Sequence, residues 1–294
     1  MLMSKLAGLG ELGVLGVDYR TTDAQPPSEG AFPSAVDDVI GAVSWLTQHG
    51  AKSVALVGDS SGGTIVVQVL LELARRRRQQ PRSNVGGRAS DVPTVSGAVT
   101  FSAWLDLTDS SPAYHSHKHC AGECSGIGAQ AFQMTPGAGQ LKSMCDALKY
   151  AGNLSIADPR LSPAQAAAPE LAGLPPLMLV IGGGEQLLGE NLEFARVASA
   201  AGAAVQVEVF DGMWHDFVQE SEGCGSDAPL REAGQALAAA ATFLNASRAA
   251  GGCAVVCGER LPARPSAAGL SPVRWSYDYN FKPPITRRDC ANVW

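Results

Sequence analysis

One stretch constrains this chain more than any other: Ser53-Val54-Ala55-Leu56-Val57-Gly58-Asp59-Ser60-Ser61-Gly62-Gly63. A short apolar run opens it and predicts a buried strand. Gly58-Asp59-Ser60-Ser61-Gly62 closes it and fits G-x-S-x-G. The residues from Thr64 to Ala74 are apolar on nearly every side and predict a buried helix. Strand, sharp turn and buried helix together lift a serine oxygen clear of a sheet. Such a turn strains the serine backbone, and Gly58 and Gly62 are expected to be glycine because side chains would clash there. The Ser61 amide, at the start of the helix, points to where a developing negative charge would sit; Asp59 and Gly62 stand beside it as the rest of the oxyanion and substrate-binding set. The chain holds 33 glycines, so the five-residue pattern arises easily by chance. Its place between strand and helix is what gives it meaning.

The rest of the chain repeats that alternation. Residues 14–19, Val-Leu-Gly-Val-Asp-Tyr, predict a strand, and residues 5–13 the end of a helix feeding it. Gly8-Leu9-Gly10-Glu11-Leu12-Gly13 matches G-x-G-x-x-G, but that dinucleotide fingerprint must follow a strand, and here a strand comes after it. A polar loop over 20–32 precedes a helix over 33–49, with Val36, Ile40, Val43 and Leu46 on one face and Gly50 at its end. The helix after the elbow ends in Arg75-Arg76-Arg77-Arg78, cations suited to the negative end of a helix dipole. Strands follow over 95–101, 177–181 and 205–210, the last alternating apolar with polar and so predicting one wet face. Helices are expected over 187–201 and 229–244, the latter with Leu230, Leu237 and Leu244 seven apart. Strands alternating with helices imply an α/β fold, a parallel sheet covered on both faces. The α/β unit is expected over residues 1–249, with an irregular cap-like region at about 105–152, and residues 250–294 form a tail without a functional reading.

Composition narrows the function classes. At 294 residues and 46% hydrophobic, the chain can build one large core. A net charge of -6 gives no reason to expect a nucleic-acid partner. No apolar run approaches the roughly 20 residues a membrane span needs. Seven scattered cysteines suit a reducing compartment, and with no targeting segment read at the N-terminus the expected location is cytoplasmic. His115, His117, His119, Cys120 and Cys124 are dense enough to suggest zinc, but their spacing fits no zinc pattern, so no metal and no cofactor is expected.

Functional groups in parallel sheets collect at the carboxyl ends of strands. Ser60, Glu185 and His215 each follow a predicted strand, in the order serine, acid, histidine. Serine is a weak nucleophile at neutral pH; it needs a base in hydrogen-bond reach, and the base needs a carboxylate to hold its tautomer. Asp158 and Asp211 are rival acids, and Glu185 is preferred because it directly follows a buried strand.

Several motifs then combine: Val17-Asp18-Tyr19-Arg20, Phe32-Pro33-Ser34-Ala35-Val36-Asp37-Asp38, Gly58-Asp59-Ser60-Ser61-Gly62-Gly63, Trp104-Leu105-Asp106-Leu107-Thr108, Leu174-Pro175-Pro176, Glu185-Gln186-Leu187-Leu188 and Asp211-Gly212-Met213-Trp214-His215. Together they resemble the hormone-sensitive-lipase-like branch of the α/β-hydrolases, also called α/β-hydrolase fold-3, over residues 14–217. The resemblance implies Ser60 as nucleophile, Glu185 as acid and His215 as base, with Ser61 where the family usually has Ala. Its members are mostly carboxylesterases on short to medium acyl esters, with some amidases, lipases and deacetylases. The partner it implies is therefore a small-molecule ester, hydrolysed through an acyl-enzyme. The family also carries a His-Gly-Gly-Gly loop upstream of the strand matching residues 14–19, whose amides supply most of the oxyanion hole. Neither this loop nor the first strands of the family's sheet are found in the chain, so the expectation is an N-terminally truncated hydrolase. The alternative is a catalytically impaired or dead hydrolase-fold fragment or binding protein.

Overall fold

The computed structural model describes residues 2–24, 26–79, 94–112, 147–223 and 228–251. The main elements among them are α1 Leu2–Gly10, α2 Ser34–Gln48, β1 Ala55–Asp59, α3 Ser61–Gln79, β2 Gly97–Phe101, α4 Ala168–Leu171, β3 Leu177–Gly182, α5 Leu188–Ala200, β4 Val205–Phe210 and α6 Arg231–Gly251. The strands pair in the order β1-β2-β3-β4, every pair parallel. This is a parallel sheet with helices on both faces, as the α/β pattern predicts.

Strand side chains alternate between faces, so a strand buried on both sides sends successive residues into different cores. In β3, Leu177, Leu179 and Ile181 enter one cluster, with residues of α2, α3 and α5; Met178 and Val180 enter the other, with Leu6 of α1 and Leu237 and Leu244 of α6. β2 divides the same way, Ala98 to the first and Val99 and Phe101 to the second. The register carries a row across the sheet through Asp59, Phe101, Val180 and Glu208, so all four strands end near one rim.

The structure departs from two expectations of the sequence. Residues 14–19 form no strand: among the described residues they pair with none, and Val14 and Leu15 are exposed. An apolar run becomes a strand only where a neighbouring edge accepts its amides and carbonyls. Instead Arg20 anchors the segment, its guanidinium spanning both Asp38 carboxylate oxygens (2.7 and 2.9 Å) while its amide donates to Asp38 Oδ2 (3.0 Å). The alternation expected in β4 also fails at its end, where Val209 is exposed at the sheet edge.

Elsewhere the boundaries move little. The arginine run does lie in the last turn of α3, but Arg75 and Arg76 bind Glu72, and Arg76 also reaches Asp37 on α2. Pairing within and between helices thus accompanies the dipole. Residues 113–146 of the expected cap, with His115, His117, His119, Cys120 and Cys124, and the tail from residue 252 lie outside the described residues. No helix among the described residues is long and apolar enough to cross a membrane.

Candidate active site

β1 ends at Asp59, and the next residue, Ser60, has φ 49°, the left-handed conformation of a sharp turn. Its amide donates to Phe101 O (2.9 Å), and its carbonyl accepts from Thr64 N (3.2 Å) and Trp104 N (3.3 Å). The turn is thus over-determined from both sides, which is what keeps a strained residue in place. Gly58 is required by contact: a Cβ there would lie 2.3 Å from Gly62 O. Gly62 is not crowded in the way the sequence suggested, since the nearest atoms to a Cβ there are 3.7 Å away. The second tight glycine is Gly63, whose Cβ would meet Ala103 at 2.7 Å. The reason is the tilt of α3: its first turn leans on β1 through residue 58 and on the segment after β2 through residue 63. Thr64 N makes the first backbone bond of α3, back to Ser60 O. The amides of Ser61, Gly62 and Gly63 precede that ladder and lie at the positive end of the helix dipole. The Tyr19 hydroxyl hydrogen-bonds the Ser61 side chain, and burial raises its pKa.

His215 comes from the loop after β4. Trp214 and Phe217 on either side of it are buried, with Phe217 against Phe210 at 5.2 Å between ring centroids. These apolar anchors fix the loop and leave His215 facing the rim. Gly183 N to Phe210 O (2.8 Å) and Gly184 N to Met213 O (3.0 Å) join this loop to the one after β3. That second loop supplies Glu185, which is buried and also accepts from Gly182 N (3.3 Å).

The structure brings Ser60, His215 and Glu185 into one row. His215 Nε2 lies 3.0 Å from Ser60 Oγ, and Nδ1 lies 3.2 Å from Glu185 Oε2. Of the rival acids, Asp158 is engaged by the Arg160 guanidinium at 2.7 and 3.0 Å. Asp59 lies beside Ser60 and accepts from Gln219 Nε2 (3.0 Å). A second carboxylate near the histidine escaped the sequence reading: Asp216 Oδ2 is 3.3 Å from His215 Nε2. Its only sequence signal is that an aspartate directly follows the histidine.

Burial opposes a charge on His215, but the Glu185 hydrogen bond and the carboxylates of Asp216, Glu185 and Asp59 outweigh it, and the imidazole pKa is raised above 6.5. Burial pushes the Asp216 carboxyl up to about 7, against the pull of His215 and with the help of Asp59 and Glu185. Among the described residues, no group of three histidine, cysteine or acidic side chains is placed to hold a metal.

Comparison with known proteins decides the family. The model of the alpha/beta hydrolase fold family matches residues 1–219. The chain belongs to the α/β-hydrolases. It is hormone-sensitive-lipase-like among them: a solved esterase from the bacterial hormone-sensitive lipase family is 30% identical, with a TM-score of 0.64 over 84% of this chain and 70% of that one. An esterase of Acinetobacter venetianus is 30% identical over 82% of this chain and 67% of its own length. An acetyl-hydrolase of Streptomyces hygroscopicus is 28% identical over 73% of this chain and 60% of its own. A solved esterase, EstE5, soaked with p-nitrophenyl butyrate, is 26% identical with a TM-score of 0.64, over 84% of this chain and 70% of that one. This α/β-hydrolase is therefore carboxylesterase-like in its relatives, and it spans about two thirds of their length.

Proposed function

We propose that this α/β-hydrolase is a serine carboxylic-ester hydrolase acting on short to medium acyl esters through Ser60, His215 and Glu185. The observation that carries the reading is the hydrogen-bonded row, 3.0 Å from serine to histidine and 3.2 Å from histidine to glutamate. Neutral His215, held by Glu185 with its proton on Nδ1, takes the Ser60 hydroxyl proton at Nε2 as Oγ bonds to the ester carbonyl carbon. The carbonyl electron pair moves onto oxygen, toward the amide of Ser61 at the start of α3. His215 then gives its proton to the departing alkoxide, leaving an acyl-Ser60. Water, deprotonated at Nε2, attacks this ester, and the acid leaves as Ser60 regains its proton. Asp59 and Gly62 line the approach to the elbow. No step calls for a metal or a cofactor.

The test is hydrolysis of p-nitrophenyl butyrate by the chain and by Ser60→Ala. The variant is expected to lose roughly 10⁴-fold or more in kcat/KM. A serine-directed phosphonate should add its mass to the chain and not to the variant. Equal rates and no labelling would overturn the reading and favour a binding role on a hydrolase fold.

A further inference from the structure

The imidazole of His215 is flanked by acid at both nitrogens. Glu185 stands at Nδ1 (3.2 Å); at Nε2 stand Ser60 Oγ (3.0 Å) and Asp216 Oδ2 (3.3 Å). Serine chemistry does not ask for this second carboxylate. A base must offer a free lone pair at Nε2 to receive the serine proton, whereas a carboxylate there stabilises an N–H.

The carboxylate is also held in place. Asp216 has φ 57°, and its amide donates to Ser102 Oγ (3.1 Å). Ser102 follows β2, is itself left-handed at φ 47° and donates its amide to Val180 O (2.9 Å). Asp216 Oδ1 is buried without a hydrogen-bond partner. A carboxylate free to choose would turn that oxygen to water; here the backbone aims the group at the histidine instead.

We propose that Asp216 is a positioning residue that retains the proton on His215 Nε2 and so delays the release of the base to higher pH. This rests on His215 being the base. The groups facing Asp216 are consistent with it. Asp59 at the end of β1 and Glu185 after β3 are acidic and oppose its ionisation; Ser102 after β2 is neutral; His215 is the cation that favours its ionisation. The Asp216 carboxyl and the His215 imidazole therefore share their protons as a coupled pair, and removing the carboxyl moves the midpoint of the imidazole.

The experiment combines ring NMR of the full chain with a pH profile, for Asp216→Asn and Asp216→Gly. Asparagine and glycine both accept a left-handed backbone, so both keep the turn while removing the charge. The His215 resonance is identified by its loss in His215→Gln. Its titration is expected to move to lower pH in both variants. At pH 6, kcat/KM on p-nitrophenyl butyrate, relative to each protein's own alkaline plateau, should rise roughly three- to tenfold. In the unmutated chain, ring nitrogen shifts at pH 6.5 should show Nε2 protonated. An unmoved titration, a shift in only one variant, or a bare Nε2 in the unmutated chain at that pH would overturn the proposal. The NMR readout does not need turnover, so an inactive chain would sink the esterase reading and leave this one measurable.

Discussion

Two glycine positions at the elbow separate steric need from motif membership. Gly58→Ala places a methyl 2.3 Å from Gly62 O, so the first turn of α3 must move away from β1. A cost of roughly 2–4 kcal/mol in unfolding free energy is expected, together with displacement of Ser60. Gly62→Ala meets nothing closer than 3.7 Å and sits in the first turn of a helix, where alanine is the better former. It is expected to change stability by less than about 1 kcal/mol. Chemical denaturation of both variants checks the pair, and equal losses would mean that the turn is not set by contact with residue 58. The proposed base, His215, carries its own pH dependence. His215 must be neutral to accept a proton, and its pKa is raised by Glu185, Asp216 and Asp59 against the effect of burial. The acid limb of kcat/KM is therefore expected to have its midpoint above pH 6.5, and a midpoint below it would contradict the electrostatics described. Sequence order was enough to suggest Ser60, Glu185 and His215 as neighbours, because Ser60 follows β1 at once and the other two lie in the loops after β3 and β4 of one parallel sheet. It could not reveal Asp216 at Nε2 or Ser102 beneath it, since both depend on left-handed backbone at residues that are not glycine.

β3 shows what an element contributes that single residues do not. All six of its residues are buried, and it feeds both cores at once. Leu179→Ala and Val180→Ala therefore probe opposite faces of the sheet. The first is expected to cost roughly 2–5 kcal/mol and the second somewhat less, in proportion to the volume removed. Val209→Ala on β4, at a 38% exposed site, should cost well under 1 kcal/mol. Thermal melts of the three variants test the order, and a Val209 effect as large as that of Leu179 would show that the β4 edge is covered in solution. β1, β3 and the helices around them were legible because their periods are unbroken and their ends are marked by glycine or charge. Residues 14–19 were not, because a strand is a property of two segments, and a run of valine and leucine says nothing about whether a partner edge is present. The tie that does hold this segment, Arg20 to Asp38, joins two motifs that the sequence shows only as separate patterns.

For the molecule as a whole, the site and the surface pull stability in opposite directions with pH. Asp38 and Asp158 are lowered by Arg20 and Arg160, so what they contribute is present above the ordinary carboxylate range and lost as pH falls. Asp216 is raised from 3.8 to about 7, so its contribution is present below pH 3.8 and lost as pH rises through 7. His215, also raised, adds stability below 6.5 that disappears as pH passes its folded-state pKa. Unfolding free energy is therefore expected to decline from pH 5 to pH 8, and Asp216→Asn should flatten that decline; an unchanged slope would remove Asp216 as its cause. Ser60, Ser102 and Asp216 all hold left-handed conformations, each disfavoured by roughly 1–2 kcal/mol for a residue with a Cβ. Glycine removes that penalty at 60 and at 216. A directed-evolution campaign that selects only for heat resistance would thus drift toward glycine at these sites, gaining thermostability as it erases the proposed nucleophile and the second acid of the histidine.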